Sequence, residues 1–273
     1  MFPENTLAGF LRAIALGVDT VELDVAVTAD DGVVVSHDPR LNSDITRTTK
    51  GEWLSGDGPS IWSLTVSQLQ CYDVGCIRPG TAYAAQFPDQ QPQEKARIPT
   101  LAEVFALDPQ VRFAVELKTF PSAPALTVSP AKMADLVVGA ADAADVMDRL
   151  VVQSFDWRGL RHLRRQHPHV ALGWLTQGQT DAERRVWWHG LDTADVDGSV
   201  ARAVAREGGS IWVPHRDELD AATIAEAHDL GLQVIAWDVN EAEDIVQILE
   251  WQADGIITDR PDLALQIHGT DWS

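Results

Sequence analysis

Hydrophobic positions along the chain run first in a helical rhythm and then in a strand rhythm. Leu7, Phe10, Leu11 and Ile14 fall on one face of a helix over Leu7–Leu16, and Gly17 follows as its stop. Thr20–Val27, reading TVELDVAV, alternates with period two and predicts a strand. A turn at Asp30, Asp31 and Gly32 leads into a second short strand over 33–36. From 42 to 97 the periodicity fades and Gly, Pro, Ser, Asp and Gln accumulate, which marks a functional insertion or lid rather than a simple connector. Pro99 and Thr100 then open a short helix through Leu107.

Beyond this point strands and helices alternate. Strands are predicted at 111–117, Leu150–Ser154, 170–175, 210–213, 232–237 and 254–257. Helices are predicted at 130–147, from after Ser154 to His167, and at 194–207, 218–230 and 241–251. Short strands separated by helices of about ten residues or more indicate βα units around a parallel sheet. Several strands are almost wholly apolar, as expected where both faces are buried. Setting 33–36 aside, about seven strands are of the βα type, whereas a closed TIM-type (β/α)8 barrel has eight. The chain opens on a helix, so the first strand is the one expected to be missing. Its 273 residues suit one barrel domain over 1–273 with an insertion at about 42–97.

A formal net charge of -20 argues against a nucleic-acid partner, because such binding rests on Lys and Arg neutralising phosphates. A phosphate-bearing substrate would need local cations, from a metal or from placed basic side chains. Cys71 and Cys76 lack the paired spacing of a zinc site and read as two free thiols, with a local disulfide as the alternative in an exported protein. No apolar run approaches the length of a transmembrane segment, and the first residues do not read as a signal peptide. The compartment stays open between the cytoplasm and the periplasm or exterior, and the oligomeric state is equally open.

Glu22 and Asp24 lie two apart on one strand, so both carboxylates project from the same face, while Val21, Leu23 and Val25 take the other. Two carboxylates aimed into a barrel interior repel unless a cation or a proton sits between them. Oxygen ligands of this kind suit Mg²⁺ or Ca²⁺; the competing reading is a pair of surface acids on an edge strand. Glu116 and Lys118 repeat the spacing in FAVELKT, as a third ligand and a phosphate partner, or as an ordinary internal ion pair. His37 follows a strand and precedes Asp38 and Pro39, where active-site loops of barrels gather and a histidine can serve as general acid or base. A purely structural histidine is the alternative.

These residues belong to a longer match. The stretch PENTLAGFLRAIALGVDTVELDVAVTADDGVVVSHDPRL, from Pro3 to Leu41, resembles the glycerophosphodiester phosphodiesterase family. That family reads Pro-Glu-Asn-Thr, a helix, Glu-x-Asp, and then His-Asp after a turn. IPTLAEVF, VELK, QSFD, AWDVN and DGIITDRP continue the likeness in order along nearly the whole chain. The resemblance implies one divalent cation, Mg²⁺ or Ca²⁺, held by Glu22, Asp24 and Glu116. It implies His37 as the catalytic acid for the leaving alcohol, and Lys118 and Trp237 as substrate-binding residues. It gives Asp254 and Asp259 structural parts at the last barrel turn. The implied substrate is a small glycerophosphodiester, hydrolysed to glycerol 3-phosphate and an alcohol such as choline or ethanolamine.

The family also opens with a strand ending in His-Arg-Gly, which supplies a further catalytic histidine. Met1 and Phe2 alone precede Pro3 here, which leads us to expect a longer native protein. Two other readings remain: a catalytically impaired barrel that binds a metal or a phosphodiester, and a related phosphodiesterase of the lysophospholipase D type. For the latter, aromatic residues of 42–97 (Trp53, Trp62, Tyr72, Tyr83 and Phe87) either contact a choline cation or pack the insertion in place.

Overall fold

Thr6 begins the first helix by accepting a hydrogen bond from Gly9 N at 3.1 Å, and Gly17 ends it in the left-handed conformation with φ 97°. This helix, α1 (Leu7–Leu16), buries Phe10 and delivers the chain to β1 (Thr20–Val27). The computed structural model describes residues 1–271, which cluster into two compact units, Met1–Leu150 and the chain from Val151 onward.

In the first unit, β1 pairs antiparallel with β2 (Val33–Val35), Val25 opposite Val35. The following segment is ordered by its own small core rather than by long elements. It holds two short helices, α2 (Val66–Leu69) and α3 (Ala82–Gln86), that loop-like composition conceals. Leu41, Ile61, Leu69, Val74 and Ile98 bury against Ala26 and Val34 of the hairpin, with Leu54, Leu64, Val66 and Tyr72 around them. Gly32 lets the insertion approach the hairpin closely: a Cβ there would stand 2.2 Å from Val66 Cγ2. The insertion is therefore seated on the strand pair that carries Glu22 and Asp24 and leads into His37.

Thr100 caps α4 (Leu101–Phe105) in a reciprocal box with Glu103. The next strand, β3 (Arg112–Leu117), runs parallel to β1 with Asp24 opposite Glu116. Ser129 caps α5 (Pro130–Ala143), which stops short of the expected 147. Asp145 is left-handed there, with φ 56°, and Val146 turns inward.

The second unit is a run of parallel strands with helices between them. It comprises β4 (Leu150–Ser154), α6 (Trp157–Gln166), β5 (Ala171–Thr176), α7 (Asp181–Trp187), α8 (Val200–Arg206), β6 (Ile211–Pro214), α9 (Ala221–Asp229), β7 (Gln233–Ala236), α10 (Ala242–Glu250), β8 (Gly255–Ile256) and α11 (Pro261–Asp271). Register runs from Val151 opposite Ala171 through Trp174 opposite Trp212 to Ala236 opposite Ile256. Three buried tryptophans anchor this unit: Trp157 stacks on Trp188 with centroids 4.3 Å apart and meets Trp174 edge-on at 5.0 Å. The helix expected over 194–207 is broken, because Asp197 and Gly198 both take positive φ and α8 restarts at Val200 with Ser199 as its cap. Among the described residues, no helix is long and apolar enough to cross a membrane.

Candidate metal and phosphodiester site

The pleat of β1 turns Val21, Leu23 and Val25 into the core, at most 4% exposed, and leaves Glu22 and Asp24 on the opposite face. Because Asp24 and Glu116 are register partners on adjacent parallel strands, their carboxylates emerge side by side. One ligand oxygen from each of Glu22, Asp24 and Glu116 lies within 4.8 Å of the others. Asp24 and Glu116 are buried. Lys118, two residues beyond Glu116, sets its ammonium 3.0 Å from Glu116 Oε1 and 3.5 Å from Asp24 Oδ1.

The charge balance of this cluster favours a divalent cation. One ammonium faces three carboxylates, leaving two negative charges in a largely buried place, where uncompensated charge is costly. Burial pushes the Glu116 carboxyl up to about 7; Lys118 pulls it down and Asp24 pushes it up again. Burial also works against the charge on Lys118, but Glu116 and Asp24 more than offset this, and its pKa is raised. An all-oxygen donor set of this kind fits Mg²⁺ or Ca²⁺.

Binding there requires Glu116 to be ionised, so protons compete with the metal. We expect apparent affinity to be at its full value above about pH 7 and to fall below it by up to about tenfold per pH unit, measurable by calorimetric titration at several pH values. Without metal the sign for stability is opposite. The raised carboxyl favours the folded state fully below its ordinary 4.5, and that contribution is lost as pH rises through about 7.

Asn5 steadies this cluster from the preceding turn. Its backbone is left-handed, with φ 50°, and its side chain donates from Nδ2 to Asp24 Oδ2 at 3.0 Å while Oδ1 accepts from Asp24 N at 3.4 Å. Glu4, one residue earlier, is exposed, and desolvation raises the pKa of its carboxyl against the hydrogen bond from Tyr83 and the charge of His37. The Tyr83 hydroxyl, from α3, donates to Glu4 Oε2.

His37 stands just past β2, its side chain 54% exposed, with Nδ1 3.0 Å from Asp38 Oδ1. Asn42 Nδ2 donates to Asp38 Oδ2 at 2.8 Å, so the ring, the carboxylate and the start of the insertion form a chain. The bond to Asp38 raises the His37 pKa; burial and Lys118 oppose this, and Asp24 adds to it. His37 consequently holds its second proton to a higher pH than a free histidine, with Nε2 left to exchange it. Asp38→Asn removes the main cause of that rise. Any activity that depends on protonated His37 should then decline at lower pH than in the unaltered protein, as read from the alkaline limb of a pH–rate profile.

Of the residues singled out in the sequence, the structure brings Glu22, Asp24, Glu116 and Lys118 together and places His37 in the same unit, while the contacts of Asn5, Glu4, Asp38 and Asn42 were not anticipated. Trp237 belongs to the second unit, where its indole Nε1 donates to Val213 O at 3.0 Å and its ring meets Phe155 at 5.3 Å and His215 at 5.0 Å. Asp254 accepts from Val234 N at 2.8 Å, and Asp259 accepts from Asn240 Nδ2 at 3.0 Å, so both are tied into local structure.

Residues 1–263 match the model of the glycerophosphoryl diester phosphodiesterase family. A glycerophosphodiester phosphodiesterase of Caldanaerobacter subterraneus subsp. tengcongensis is 28% identical over 97% of this chain and 92% of its own length. A lysophospholipase D of Rattus norvegicus is 26% identical over 94% of this chain and 79% of its own. A crystal structure from Silicibacter pomeroyi, named for glycerophosphoryl diester phosphodiesterase, is 35% identical, covers 98% of this chain and 88% of that one, and has a TM-score of 0.88. A phosphodiesterase of Oleispira antarctica, solved with its product sn-glycerol-3-phosphate, shares the fold at a TM-score of 0.72 and 20% identity, covering 98% of this chain and 92% of that one. The fold class is α/β of the TIM-barrel type.

Proposed function

Because this chain belongs to the glycerophosphoryl diester phosphodiesterase family, we propose that it hydrolyses a glycerophosphodiester to glycerol 3-phosphate and a free alcohol, with one divalent cation bound by Glu22, Asp24 and Glu116. The observation that carries this reading is the set of three carboxylate oxygens within 4.8 Å of one another, with Lys118 Nζ at 3.0 and 3.5 Å from two of those side chains. The cation, when bound, supplies Lewis-acid stabilisation of charge developing on the phosphoryl oxygens.

The chain's own residues supply the rest. Lys118 offers a fixed positive charge to a non-bridging phosphate oxygen while remaining tied to Glu116. Asn5 keeps Asp24 turned toward its neighbours. His37 donates a proton from Nε2 to the oxygen of the departing alcohol as the bond from that oxygen to phosphorus breaks. Asp38 holds the opposite nitrogen, so the ring faces the substrate in one orientation. The net reaction consumes one water, with a hydroxyl joining phosphorus and a proton joining the alcohol. The substrate-binding part given to Trp237 rests on the family resemblance.

A second reading is favoured by the lysophospholipase D among the relatives. Glycerophosphocholine and lysophosphatidylcholine, offered as parallel substrates in Mg²⁺ or Ca²⁺, separate the two. Our reading expects glycerol 3-phosphate from the first at the higher kcat/KM. Preference for the second moves the chain to the lysolipid class, and metal binding without turnover of either makes it a binding barrel.

A further inference from the structure

A carboxylate can offer a cation one oxygen or both, and that choice bears on which ion a site prefers. Ca²⁺ gathers about six to eight oxygens and accepts carboxylates either way, whereas Mg²⁺ demands near-ideal octahedral geometry and keeps several waters. In this cluster both buried carboxylates already have an oxygen engaged. Asp24 Oδ2 accepts from Asn5 Nδ2 at 3.0 Å, and Glu116 Oε1 lies 3.0 Å from Lys118 Nζ. Asp24 Oδ1 has the longer contact, 3.5 Å to Lys118 Nζ.

The Asn5 amide is held in one orientation. Asp24 N can only donate, so the amide oxygen of Asn5 faces it at 3.4 Å, which leaves Nδ2 for the carboxylate. The backbone adds its own constraint, because Asn5 takes φ 50°, a left-handed conformation that asparagine tolerates better than most residues. Thr6, next in the chain, is buried; its hydroxyl donates to Pro3 O at 2.7 Å and accepts from Gly9 N at 3.1 Å, tying the turn to α1. Binding of a cation through both oxygens of Asp24 would compete with the Asn5 bond and risk leaving a half-buried amide donor unpaired, which is costly.

We propose that Asn5 sets the metal selectivity of this site: by engaging Asp24 Oδ2 it restricts Asp24 to one ligand oxygen and biases the cluster from Ca²⁺ towards Mg²⁺. The proposal rests on the metal-dependent reading above and adds the residue that chooses the ion. Asn5 acts through Asp24 and is a positioning residue.

Calorimetric titration of the protein with Mg²⁺ and with Ca²⁺ gives the ratio of the two Kd values. Asn5→Gly suits a left-handed backbone and removes the side chain alone; it should shift that ratio towards Ca²⁺ by roughly tenfold. Asn5→Asp tolerates the same turn and keeps an oxygen for Asp24 N, but its carboxylate cannot donate, and it should shift the ratio in the same direction. A residue that merely braced the turn would, on removal, weaken both ions alike. An unchanged ratio, or a shift towards Mg²⁺, would therefore overturn the proposal and leave the metal site and the phosphodiesterase reading standing. An unaltered protein that binds neither ion sinks the proposal and the metal-dependent reading together.

Discussion

Asp24→Ala should lower turnover of a glycerophosphodiester by about 10³-fold, the loss expected when several kcal/mol of charge stabilisation by a bound cation disappears. Asp24 is the centre of the cluster: it stands opposite Glu116 in register, 3.5 Å from Lys118, and bonded to Asn5. Removing it takes away one of three ligand groups and releases Lys118 from one of its partners. The same variant should lose the rise in Tm that Mg²⁺ or Ca²⁺ gives the unaltered protein, because a ligand that binds the folded state stabilises it by about 2.7 kcal/mol at one hundred times Kd. If turnover falls while the metal-dependent rise in Tm stays intact, Asp24 acts on substrate and the cation is held elsewhere.

His37→Ala carries the second large effect, a loss of about 10²–10⁴-fold with glycerophosphocholine, whose alkoxide is a poor leaving group and needs a proton. A diester with a p-nitrophenyl leaving group departs without one, so the same variant should lose far less activity on it. This contrast separates a proton donor from a residue that merely shapes the pocket, which would slow both substrates alike. The 3.0 Å contact with Asp38 is the main cause that raises the pKa of this donor.

Much of this was written in the local sequence. Thr6, the apolar face of α1 and Gly17 specify that helix at both ends, and the alternation of TVELDVAV specifies both the strand and the face that carries the carboxylates. Glu22, Asp24, Glu116 and Lys118 could be read because each pair is two residues apart on a strand, a spacing that fixes a shared face. Other features depend on backbone choices that composition does not announce. Asp145 ends α5 early, and Asp197 with Gly198 divides the helix expected over 194–207.

The insertion lacked periodicity because its elements are too short to show any, although Leu69 and Ile61 are as buried as the core strands. Asn5 and Glu4 sit in a motif that could be seen, but their parts depend on partners at Asp24 and Tyr83, and no local pattern encodes such distances along the chain. Asp38 was visible beside His37, and its function as a clamp required the ring's orientation, which adjacency alone does not supply.

The most direct measurement follows glycerophosphocholine by ³¹P NMR with protein stripped of metal and then with Mg²⁺ or Ca²⁺ restored. We predict no conversion in the stripped sample and, on restoring the cation, loss of the diester signal with growth of the monoester signal of sn-glycerol 3-phosphate. Phosphocholine as the product, or conversion at the same rate without metal, would contradict the account.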